Sequence, residues 1–103
     1  MAWLGGQYAV TATATSITSA LALAESTYAR QIDVKYSANA TAGSRVFLGD
    51  SDVTNVPANA HIELTPDTGW SAVAIGNHAI RTGDVFIVGT VAAANIVFVT
   101  VIT

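Results

Sequence analysis

The residues in this chain whose types could do chemistry are few and set apart. His61 and His78 are the only imidazoles, and neither has a partner at the HxH or HxxxH spacing that places two ligands on one face. A zinc site would need further ligands, and with no cysteine none of them is a thiolate. Asp50 and Asp52 flank Ser51 in a DxD, the opening of a calcium loop, but the glycine and terminal glutamate that complete such a loop are missing. Aspartates in this setting also bond backbone N–H groups and cap a turn, which is the reading adopted here. Ser51 beside Asp52 is not a triad, and no nucleophile-elbow sequence surrounds any serine. Neither a phosphate-cradling loop nor a dinucleotide fingerprint occurs. Glycosidase carboxylates come from distant positions, and Glu25 and Glu63 are the only glutamates. The expectation is a protein that is not an enzyme and has no cofactor and no metal.

The stretch around the DxD shows what would position it. Val46 to Leu48 is a short apolar run ending at Gly49, and Asp50, Ser51 and Asp52 follow before Val53 re-enters an extended piece. Gly43 and Gly49 bracket this strand, and glycine supplies the backbone angles of tight turns. Pro66-Asp67-Thr68-Gly69 is a second turn by composition, with Pro66 fixing φ and Gly69 closing it.

Alternation sets the rest. Tyr28 to Ser37 is the clearest strand, with Ile32, Val34 and Tyr36 on one side and Gln31, Asp33 and Lys35 on the other. His61 to Thr65 repeats the pattern, and Gln7 to Thr15 places Tyr8, Val10, Ala12 and Ala14 opposite three threonines. Residues 16–27 fit either a short extended piece with a turn at Glu25-Ser26-Thr27, which we favour, or one to two turns of helix. Trp70 to Ile75 and Val85 to Val88 read as strands. Ile96 to Ile102 is apolar on both sides, as in a central strand or one whose outer face meets another subunit. Seven or eight short strands with frequent turns have the spacing of a sandwich or a barrel, and the fold expected is all-β, a small antiparallel β-sandwich, jelly-roll-like. Residues 1–6 read as an N-terminal arm, with Trp3 and Leu4 ahead of a Gly5-Gly6 joint, and residues 7–103 as one domain.

Composition narrows the function classes. Charged residues are 11% of the 103, less than half the usual ~25%. Hydrophobic residues are 51%, and so little charge protects a monomer poorly against association. Arg30, Lys35, Arg45 and Arg81 are the only cations and the net charge is −3, which argues against nucleic-acid binding. No apolar run reaches the ~18 residues of a membrane span, and Met1 to Gly6 lacks the basic start of a signal peptide. A homo-oligomer is expected, with Trp3, Leu4, Tyr8, Trp70, Val97, Val99 and Val101 as candidate interface residues.

Arg45-Val46-Phe47-Leu48-Gly49-Asp50-Ser51-Asp52-Val53-Thr54 resembles a recurrent pattern of small tailed-phage virion proteins, following a strand like Arg30 to Lys35. Ile62-Glu63-Leu64-Thr65-Pro66-Asp67-Thr68-Gly69 is similar to the next stretch of that pattern, with Asp67-Thr68 as an insertion before Gly69. Val85 to Thr90, then Asn95 to Ile102, looks like its ending. The resemblance implies a capsid-associated β-sandwich, used as a head decoration (cement) protein or in a head fibre. It implies a trimer that binds the major capsid protein at capsomer junctions, on the outer surface of the virion after synthesis in the host cytoplasm. On the reading of an N-terminal arm, Trp3 inserts against an adjacent subunit or the capsid as a latch, and deleting the arm leaves the domain's stability largely intact. Two other roles stay open. One is a carbohydrate- or receptor-binding module, which Trp70 and Tyr8 in an exposed groove would favour. The other is a head–tail or neck adaptor.

Overall fold

The computed structural model describes residues 3–23, 27–37, 44–54, 60, 62–65, 71–74, 80–90 and 96–103. The strands are β1 (Trp3–Ala9), β2 (Thr15–Ser16), β3 (Tyr28–Ala29), β4 (Gln31–Tyr36), β5 (Val46–Gly49), β6 (Ile62–Leu64), β7 (Ser71–Ala74), β8 (Ile80–Arg81), β9 (Phe86–Gly89) and β10 (Ile96–Ile102). One helical turn, α1 (Ile17–Ala20), and a 3₁₀ turn, Thr82–Asp84, are the helical pieces among the described residues.

Two four-stranded sheets form, in the orders β1-β10-β4-β7 and β2-β9-β5-β6, with a small β3-β8 ladder beside them. All the pairings among the described residues are antiparallel. Setting the β3-β8 ladder aside and renumbering the remaining strands along the chain, the orders become 1-8-3-6 and 2-7-4-5. That interleaving of two sheets is the double Greek key of a jelly roll. The antiparallel sandwich expected from alternation is the fold.

The core lies between the sheets. Ile32, Val34 and Tyr36 from β4 meet Val97, Val99 and Val101 from β10, and Val46, Leu48, Leu64 and Ile87 come from the second sheet. Strict alternation in β4 and β10 drives this, because each buries every second residue. Phe47 and Val88 behave differently. They are register partners on the outer side of the second sheet, and they form a separate small core with Val53, on which Ala14, Ala60 and Phe86 pack. The continuous apolar runs in β5 and β9 are thus explained by burial on both faces.

Four boundaries differ from the sequence expectation. Trp3 to Gly6, read as an arm, carry the first half of β1 and pair with Ile102 to Val99. Glycine keeps both backbone groups for the ladder, and at Gly5 the lack of a Cβ lets the Val99 carbonyl oxygen approach closely. The strand expected to run to Thr15 stops at Ala9, and Val10 turns into the core at 1% exposure. The threonines there bond locally instead. Thr13 N–H donates to Thr11 Oγ1 at 3.3 Å, and Thr11 Oγ1 and Thr15 Oγ1 each donate to the Thr13 carbonyl at 3.0 Å. Hydroxyls that bond nearby backbone compete with the sheet ladder. Residues 17–20 take the helical alternative, with Ser16 as N-cap accepting from Ser19 N–H. The Tyr28–Ser37 strand is interrupted at Arg30, whose N–H donates to the Ile102 carbonyl at 2.7 Å.

Candidate functional site

The DxD turn is the first place to look for chemistry. Asp50 Oδ1 accepts the Asp52 N–H at 2.9 Å, and Val53 N–H donates to the Asp50 carbonyl at 3.0 Å. Asp50 therefore shapes the turn through its carboxylate, and the turn delivers Val53 (3% exposed) onto Phe47 and Val88. Asp50, Ser51 and Asp52 face solvent. Among the described residues no group of three or more His, Cys, Asp or Glu could hold a metal ion. His61, His78, Trp70, Gly43, Pro66 and Gly69 lie outside the described residues.

The candidate interface residues divide. Val97, Val99 and Val101 are 0–2% exposed inside the protein's own core, so they are closed to any partner. This corrects the expectation, and the reason is the parity of β10: its central place between β1 and β4 turns these three residues inward. Ile96, Phe98, Thr100 and Ile102 hold the outward side and stay partly exposed. Leu4 and Tyr8 pack against the core from β1 and remain half-buried. Trp3 is a β1 residue in register with Ile102.

The outer face of the first sheet is thereby defined. Phe98 stands in register with Gln7 on one side and Lys35 on the other, and Thr100 with Gly5 and Asp33. An apolar line along β10 runs between small or neutral residues of β1 and the polar row Gln31, Asp33 and Lys35 of β4. Gln31 Nε2 donates to both Asp33 carboxylate oxygens, at 2.9 and 3.0 Å. The second sheet has its outer face covered by the Phe47 cluster. Among the described residues the first sheet has no such cover.

Two features escaped the sequence reading. Tyr28 is 63% exposed and lies under the Arg81 guanidinium, 5.9 Å from ring centroid to Cζ. Thr82, with no exposure, ties three segments together: its hydroxyl meets Thr18 Oγ1 at 2.7 Å and accepts Thr27 N–H at 2.9 Å, while its own N–H donates to the Thr27 carbonyl. A threonine in a polar-looking turn gives no sequence signal of burial. The ion pair between Arg45, just before β5, and Glu63 of β6 is 2.8 Å long, lies at the surface and carries little energy.

No helix among the described residues is long and apolar enough to cross a membrane. No protein-family model, curated protein or solved structure matches this chain.

Proposed function

We propose that this is a structural virion protein, a capsid decoration (cement) protein that binds the major capsid protein on the outer head surface and reinforces capsomer junctions. The observation that carries the reading is the jelly-roll strand order, 1-8-3-6 over 2-7-4-5, in a small chain with 11% charged residues. Jelly rolls recur in viral capsid and lectin domains, and this support is an analogy of fold. The resemblance of the Arg45–Thr54 and Val85–Ile102 stretches to small phage virion proteins adds to it. The outer face along β10, which no cluster among the described residues covers, offers the weakly charged surface that a shell contact uses. On a shell the protein acts as a homo-oligomer, a trimer by the resemblance.

A second reading is a carbohydrate- or receptor-binding virion module. Exposed Tyr28 beside Arg81 favours it, since an aromatic face next to a donor-rich guanidinium suits a sugar ring. Cryo-electron microscopy of the virions that carry this sequence tests both. Density for the chain spread over the head surface is the expected result. Density confined to fibre tips selects the binding module, density at the neck selects an adaptor, and absence from the particle overturns the virion reading.

A further inference from the structure

We propose that the free edge of β1 is a self-pairing edge, where two copies of this chain join antiparallel about Gly6 and make one continuous sheet. The proposal rests on sheet geometry and stands apart from the virion reading. β1 and β7 are the outer strands of the first sheet, and β2 and β6 those of the second. β2 has two residues, and β6 has three and carries Glu63. β7 has four residues and meets β4 through a register shift at Ile32/Asp33. β1 is longer, at seven residues, and pairs with β10 without a bulge from Trp3 to Ala9.

In an antiparallel strand every second residue turns its N–H and C=O away from the neighbour it pairs with. On β1 those groups point off the sheet, and no other hydrogen bond occupies them among the described residues. Gly5, Gly6, Gln7 and Ala9 are all exposed. Gly6 shares the inward parity of Leu4 and Tyr8, so its exposure marks the edge as open. Natural edges of this kind are guarded by lysine, proline, a bulge or an inward charge. The sequence Trp-Leu-Gly-Gly-Gln-Tyr-Ala has none of these guards.

The occupant follows from self-complementarity. A twofold axis at Gly6 places Gly6 opposite Gly6, Gly5 opposite Gln7, Leu4 opposite Tyr8 and Trp3 opposite Ala9. The Leu4–Tyr8 pairs are aliphatic against aromatic, a favourable cross-strand combination, and they continue the core layer from one copy to the next. With no charged residue on the strand, nothing repels across the axis. The contact is isologous, as in most homodimers. A strand pair of this length sits at the low end of interface size, so reversible association in the micromolar range is expected. A twofold pair cannot close a threefold ring, so at this edge the dimer and the trimer are alternatives.

Sedimentation equilibrium of the full chain should report twice 10.6 kDa in the micromolar range. The Gln7→Lys/Ala9→Lys variant adds charge at two exposed positions and should sediment as a monomer with an unchanged β-type circular dichroism spectrum. The chain has no cysteine, which makes a covalent test clean. Opposed residues in an antiparallel pair have Cα atoms within disulfide range. A Cβ at Gly6 meets only Leu21 Cδ2, at 3.6 Å, so Gly6→Cys fits the fold. Under mild oxidation Gly6→Cys should form a covalent dimer, and Ser51→Cys, equally exposed on another part of the surface, should not. A monomer throughout the micromolar range overturns the proposal. So does a mass of three times 10.6 kDa with no Gly6→Cys cross-link, a result that leaves the virion reading and its trimer standing.

Discussion

The hydroxyls of Tyr36 and Ser44 meet at 2.8 Å inside the protein, where the two residues are 1% and 2% exposed. Tyr36 ends β4, and Ser44 leads into β5, which belongs to the other sheet. The bond therefore links the two layers at the point where the chain crosses between them. Removing the Tyr36 hydroxyl deletes one hydrogen bond between buried groups, a net contribution of about 0.5–1.5 kcal/mol. Tyr36→Phe should lower the unfolding free energy by that amount in urea titrations. A double-mutant cycle with Ser44→Ala should show coupling between the two sites, because they share one bond. Additive effects would mean that the bond contributes nothing.

Backbone geometry gives a sharper set. A Cβ at Gly5 would stand 2.7 Å from the Val99 carbonyl oxygen, and one at Gly89 would stand 2.5 Å from Val10 Cγ1. Gly5→Ala and Gly89→Ala should each destabilise by about 1–3 kcal/mol through overpacking. Gly6→Ala is the internal contrast and should be close to neutral, since its Cβ meets only Leu21 Cδ2 at ordinary distance. Ala22 reverses the sign. It holds φ at 53° just after α1, with Leu23 N–H bonded to the Thr18 carbonyl and Ala22 N–H to the Ser19 carbonyl. This is a left-handed helix end, where glycine is the usual occupant. Ala22→Gly should raise the melting temperature, a gain on the order of 0.5–1 kcal/mol. Equal losses at Gly5, Gly6 and Gly89 would reject the steric account.

The DxD turn yields a test of chemistry against architecture. If Asp50 serves the turn, Asp50→Ala removes the bond to Asp52 N–H and costs about 0.5–1.5 kcal/mol. Asp50→Asn keeps an acceptor oxygen and should recover most of the loss. Calcium should leave the melting temperature of the parent protein unchanged, because a ligand that binds the native state raises it by mass action. A calcium-dependent rise that disappears in Asp50→Ala would restore the metal reading of this turn.

These residues also show how far the sequence could be read. Period-two alternation exposed the sandwich because β4 has a wetter side, so Ile32, Val34 and Tyr36 separate cleanly from Gln31, Asp33 and Lys35. The parity of β10 was less legible. Both its sides are apolar, and the choice between Val97, Val99 and Val101 and the alternate set is made by the neighbours that β10 acquires in the sheet. Ser44 and Thr82 are buried polar residues, one bonded to Tyr36 across a connection between the sheets and the other to Thr18, 64 positions away, and composition carries no trace of such pairing. The start of β1 was obscured because Gly5-Gly6 is a flexible joint by local rules, whereas strand pairing with Thr100 and Val99 fixes both glycines.

That last point changes what a deletion should do. Residues 1–6 as a free arm could be removed with the domain intact. In the structure Trp3, Leu4, Gly5 and Gly6 hold the ladder against Ile102, Val101, Thr100 and Val99, and Leu4 packs on the main core. Deletion removes a half-buried leucine and leaves that half of β10 without its neighbour. The chain lacking residues 1–6 should lose on the order of 2 kcal/mol or more of folding stability, from lost packing and from ladder bonds. Leu4→Ala alone should reproduce part of the loss, because it keeps the ladder and removes the packing. Docking of Trp3 on a shell then needs a gentler probe than deletion. Trp3→Ala keeps the backbone pairing, so its urea midpoint and its affinity for capsids stripped of the protein can be measured side by side. A deletion variant with an unchanged urea midpoint would return residues 1–6 to the role of an arm and remove Leu4 from the core. A deletion variant that unfolds earlier, beside a Trp3→Ala variant that folds normally and binds shells poorly, would separate the strand's work in the fold from the tryptophan's work at the surface.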